Sequence, residues 1–94
     1  MIVGRALGTV VMTVRGPLRA PGARDLVASV EEALADRPER LVIDLTGATA
    51  LDDEGLAELV RAQERADAHE VQLQVTSRSK EILSRLDDAP FQVV

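Results

Sequence analysis

The sequence predicts an α/β fold, a mixed sheet of four or five strands with helices packed mainly on one face. Three observations carry that reading. Segments whose apolar residues recur at every second position alternate with segments that repeat every three or four. A short apolar run, Leu41-Val42-Ile43-Asp44-Leu45, leads through a loop into Asp52-Asp53-Glu54 and the helical spacing of Leu56, Leu59 and Val60. The chain has 94 residues, 46 % of them apolar, which suits one domain over residues 1–94 with a modest core.

Taken in order, Ile2 to Leu7 is a weak strand candidate, interrupted by Gly4 and loosely constrained in register. Thr9 to Arg15 is a better one: Val10, Met12 and Val14 alternate with Val11, Thr13 and Arg15, and Gly16-Pro17 ends it. After a second break at Pro21-Gly22, Ala23, Leu26, Val27, Val30, Ala33 and Leu34 outline an amphipathic helix reaching about Asp36. Leu41 to Leu45 reads as a strand buried on both faces, broken by Thr46-Gly47. The next helix starts near Asp53, where acids suit the positive end of the helix dipole, and runs to about Ala68. Val71, Leu73 and Val75 alternate with Gln72 and Gln74, a strand with one wetter face. Thr76 or Ser77 would cap a third helix from about residue 79, whose apolar face continues through Ile82 and Leu83 to Leu86. Asp87 to Pro90 stops it, and Phe91 to Val94 return as a last short strand. The order β-β-α-β-α-β-α-β implies parallel strands joined by right-handed crossovers.

Composition narrows the function. The net charge is −5, which argues against nucleic acid or an anionic membrane as the main partner. Phe91 is the only aromatic residue, so base-stacking side chains are missing. Residues 1–24 carry four arginines and no acid, whereas residues 25–94 carry seven bases and sixteen acids, a division that could give a bipolar surface. With no cysteine there is no disulfide, thiol catalysis or thiolate metal site. No signal-peptide core or membrane-length run is present, and the expected location is the cytoplasm. Ten arginines against one lysine suggest a GC-rich bacterial genome.

Asp52, Asp53, Glu54 and Glu58 form the one dense polar cluster. Oxygen ligands suit hard cations, but a helix spreads consecutive residues by about 100°, so only Glu54 and Glu58 share a face. Aspartates at a helix start have the competing roles of cap and dipole partner. The single histidine, His69, sits at a helix end, and no glycine spacing makes a phosphate loop. Thr46 and Thr49 lie near Asp44 and Asp52 in sequence, which is thin support for nucleophilic chemistry. The expectation is no enzyme, no metal and no cofactor.

Leu41-Val42-Ile43-Asp44-Leu45 followed by Asp52-x-x-Gly55-Leu56 resembles the STAS domain, best known from bacterial anti-sigma factor antagonists. Gly16-x-Leu18 and Ser77 fit the same frame, and the resemblance covers nearly the whole chain. It implies a cytoplasmic, non-enzymatic module that binds a protein partner such as an anti-sigma factor kinase and takes part in sigma-factor regulation. Self-association is left open. The family's phospho-acceptor hydroxyl directly follows the motif aspartate; here Asp53 stands there, followed by Glu54, so the phosphorylation site is degenerate. Arg19 replaces the acid usual in the earlier turn. The resemblance places partner binding at Asp52, Asp53, Glu54, Gly55 and Leu56, with Arg19 and Arg24 alongside and Gly55 allowing close approach. The alternative it implies is an accessory subunit of a lipid-transport ATPase or of a stress-sensing assembly.

Overall fold

The computed structural model describes residues 2–18, 24–87 and 92–93. The elements are β1 (Ile2–Ala6), β2 (Thr9–Leu18), α1 (Arg24–Leu34), β3 (Arg40–Leu51), α2 (Asp53–Ala68), β4 (Gln72–Thr76), α3 (Lys80–Leu86) and β5 (Gln92–Val93). They form a five-stranded sheet in the order β1-β2-β3-β4-β5. The β1–β2 pair is an antiparallel hairpin, and every later pair is parallel. Each parallel step moves to the next strand in the same direction, so crossovers of one hand carry all three helices to the same face.

Burial follows that arrangement. Val10, Met12 and Val14 of β2, Leu41, Ile43 and Leu45 of β3, and Leu73 and Val75 of β4 are buried on the helix side. They share one core with Leu26, Val30, Ala33 and Leu34 of α1, Leu59, Ala62 and Ala66 of α2, and Ile82 and Leu86 of α3. On the other face Val11, Thr13, Val42, Asp44 and Gln74 are only half-buried. The central strand is therefore covered on one face, not on both as its apolar run suggests.

Two boundaries differ from the expectation. Thr46-Gly47 does not end β3, nor does Gly16-Pro17 end β2; the pair continues to Leu18 opposite Leu51. It does so through register shifts between Thr13 and Arg15 and between Gly16 and Pro17, each placing one extra residue on β3. Neither β1 nor β4 pairs with this extension, so Pro17 lies where no ladder partner needs its missing N–H. The result is a two-stranded ribbon projecting past the sheet.

Helix ends follow side-chain chemistry. Ser79, not Thr76 or Ser77, caps α3: its Oγ accepts from the Ile82 N–H at 3.4 Å. Buried Ser77 instead accepts from the Ser79 N–H at 3.1 Å and so fixes the turn. At the far end of α2 the His69 N–H reaches the Ala66 and Arg65 carbonyls, and Glu70 takes a φ of 59°. The Val71 N–H then bonds the Ala66 carbonyl at 2.9 Å, closing a Schellman-type end. Of the expected last strand, Gln92–Val93 is found, while Phe91 and Val94 lie outside the described residues.

Candidate functional site

The ribbon delivers the chain to the start of α2. Leu51 is buried at its end, and Asp52 follows with extended backbone, φ −91° and ψ −179°. Asp52 Oδ1 accepts from the Gly55 N–H at 2.7 Å, which makes it the N-cap. Its own N–H points to the Leu18 carbonyl at 3.4 Å, tying the helix start to β2.

Asp53, first residue of the helix, is left out of the capping. Its carboxylate accepts a hydrogen bond from the terminal guanidinium nitrogen of Arg85, near the end of α3 and 32 positions away in sequence. The Asp53 side chain is 99 % exposed and that of Arg85 40 % exposed. Glu54 is exposed, Leu56 is half-buried against the core, and Gly55 is buried. A Cβ on Gly55 would stand 2.2 Å from the Leu18 carbonyl oxygen, so the approach this glycine permits is internal rather than to a partner.

The fourth acid of the cluster points elsewhere. Glu58 is buried within α2 and pairs with Arg61 at 2.6 Å. Asp52, Asp53 and Glu58 thus each have a separate partner, and no group of three candidate ligands gathers among the described residues. Arg19 falls outside the described residues, and of Arg24 only its place at the start of α1 is described. The start of α2 therefore exposes Asp53 and Glu54, with Asp52 half-buried as the cap and Leu56 half-buried against the core.

Beside this surface a cavity of about 560 Å³ opens between the ribbon and α3, lined by Thr49, Ala50, Leu51, Lys80, Ile82 and Arg85 among others. That α3 belongs here is not legible from residue spacing. Arg85 lies in a short helix far along the chain, and no spacing rule links it to Asp53. On the uncovered side of the ribbon, the Thr46 hydroxyl and N–H both donate to Asp44 Oδ1, the N–H at 2.9 Å. The Thr46 hydroxyl bond, then its N–H bond, lowers the Asp44 pKa from its ordinary 3.8; partial burial opposes this, and the charge of Arg78 assists it.

Three helices on one face of a mixed sheet are the fold shared with solved anti-sigma factor antagonists. A family profile described as "Mlab, STAS domain" matches residues 1–88, and the chain belongs to that family. The unphosphorylated form of the anti-sigma factor antagonist SpoIIAA superposes with a TM-score of 0.79 at 13 % identity, covering 99 % of this chain and 86 % of that one. An anti-sigma factor antagonist from Mycobacterium paratuberculosis gives 0.77 at 24 % identity, covering 97 % and 82 %. The protein Mglu matches with 0.71 at 22 % identity over 79 % of this chain, which spans only 18 % of Mglu's length. At these identities the likeness is one of fold. A search of curated proteins finds no match.

Proposed function

We propose that this chain is a non-enzymatic protein-interaction module of the anti-sigma factor antagonist type, and that its contact surface centres on the start of α2. The observation that supports it is the position of Asp53. Asp52 performs the capping, so Asp53 projects a carboxylate from the first turn at the place where the family carries its phospho-acceptor hydroxyl. A phosphate there would add roughly −1.5 to −2 charges and three acceptor oxygens. Asp53 offers one charge and no hydroxyl, so a kinase that modifies the family serine has no target at this position. The partner class is an anti-sigma factor kinase or a protein of similar surface, bound without a phosphorylation switch.

The second reading is an accessory subunit of a transport ATPase or of a stress-sensing assembly. The missing hydroxyl favours it, because a permanent subunit needs no release signal.

The test is Asp53→Ser, with Glu64→Gln on the exposed side of α2 as control. Binding is measured to a purified anti-sigma factor kinase and, separately, to a purified transport ATPase subunit. Exposed charges usually matter by less than about 1 kcal/mol, whereas a charge desolvated at an interface can matter by about 2 kcal/mol or more. A tenfold or larger change for Asp53→Ser with one of the two partners, and little for Glu64→Gln, supports the surface and selects the reading. Equal, small changes with both partners remove it.

A further inference from the structure

We propose that Arg85 is the residue that decides whether Asp53 presents an unbalanced charge at the start of α2: it holds the exposed Asp53 carboxylate in an intramolecular ion pair, and a partner reads that acid in competition with Arg85. The proposal rests on the contact surface described above and names its regulation.

The geometry has three parts. Asp52 already satisfies the Gly55 N–H, so the Asp53 carboxylate has no capping duty, and its bond to Arg85 is not one of local helix geometry. Arg85 is not a freely moving surface cation. Its Nε is buried without a hydrogen-bond partner while the outer end of the guanidinium reaches Asp53. A planar fork sunk to its Nε is held by packing and loses less freedom on pairing than a fully hydrated ammonium, while the exposed Asp53 carboxylate leaves the pair open to solvent and salt. Finally, the other charges lining the adjoining cavity, Lys80 and Glu81, are of opposite sign and together add no net charge beside Arg85.

Charge balance gives the consequence. One carboxylate facing one guanidinium sums to zero, whereas a phosphoryl group at the same point would keep roughly −0.5 to −1 after pairing. In the resting chain Asp53 therefore stands for the unmodified, neutral state of the family's switch rather than the phosphorylated one. Arg85 is a positioning residue in this account: it acts through Asp53 and not by touching the partner.

The experiment has two arms. In the first, amide relaxation at residues 53–55 of the intact chain is measured by NMR with a cationic and an anionic paramagnetic cosolute. Arg85→Gln is expected to raise the cationic-to-anionic ratio about twofold or more, from the field of one unbalanced charge. Arg85→Lys should stay near the wild-type value, and so should Arg61→Gln. A wild-type ratio already equal to that of Arg85→Gln overturns the proposal. In the second arm, partner affinity is measured for Arg85→Gln, Asp53→Asn and the double variant. A severalfold change for Arg85→Gln that vanishes in the Asp53→Asn background supports the proposal. A change that persists there shows Arg85 touching the partner itself and overturns it. If the first arm succeeds and no variant alters binding, the contact surface of the preceding subsection is what fails.

Discussion

The carbonyl oxygen of Leu18 lies 2.2 Å from where a Cβ on Gly55 would stand, and it also faces the Asp52 N–H at 3.4 Å. One peptide group of β2 thus fixes how closely α2 can approach the ribbon. The Leu51 side chain, 3.0 Å from the same Cβ position, closes the other side. Gly55→Ala should therefore destabilise the fold although alanine is the better helix former. A clash with backbone costs about 1–3 kcal/mol, against roughly 1 kcal/mol of propensity gained. The expected result is a fall in Tm of several degrees, read by circular dichroism.

Capping and charge at the helix start fall on adjacent aspartates. Asp52→Ala removes the acceptor of the Gly55 N–H and should cost about 1 kcal/mol. Asp53→Ala removes only an exposed pair and a dipole contact, and should cost less than about 1 kcal/mol. Chemical denaturation of both variants gives the comparison, and equal losses would mean that Asp53 shares the capping.

The hairpin between β1 and β2 turns on Leu7 and Gly8, whose φ angles are 47° and 84°. A two-residue turn with both φ positive is the type I′ geometry that favours Asn-Gly. Leu7 is fully exposed at 103 %, so it gains nothing from burial for adopting this backbone. Leu7→Asn should stabilise the chain by about 0.5–1 kcal/mol, seen as a rise in Tm with an unchanged far-ultraviolet spectrum.

Asp44 sets one pH dependence. Its folded pKa lies below the ordinary 3.8, first through the Thr46 hydroxyl and then the Thr46 N–H. A depressed acid stabilises the fold fully above its unfolded pKa and loses that contribution as pH falls through the folded value. Thr46→Val should thus lower stability near neutral pH, by about 1 kcal/mol or less for so open a site. The gap between variant and wild type should close as pH drops below about 4. A gap of constant size down to pH 2 would assign the effect to packing instead.

The alternation of periods placed the three helices and the strands β2, β3 and β4, because Val10, Met12 and Val14, or Leu26, Val30 and Ala33, lie on faces that one core buries. It failed where the period itself changed. Beyond Leu45 the buried residues of β3 are Ala48 and Leu51, three apart, since two extra residues shift its register against β2. That spacing does not look like a strand, and Thr46-Gly47 looks like a break. The acids at 52–54 were legible as a helix start. Their division of roles was not, because it depends on Leu18 and Arg85, which tertiary structure alone brings to them.

The uncovered face of the sheet has a practical side. Gln74 stands on it, half-buried in the row Val11, Val42, Gln74, with the whole sheet between it and the helices. The chain has no cysteine, so Gln74→Cys would create a single thiol to carry a dye or a surface tether. Such an attachment would hold the molecule by its back and leave the start of α2 facing outward, an orientation that a terminal tag does not impose.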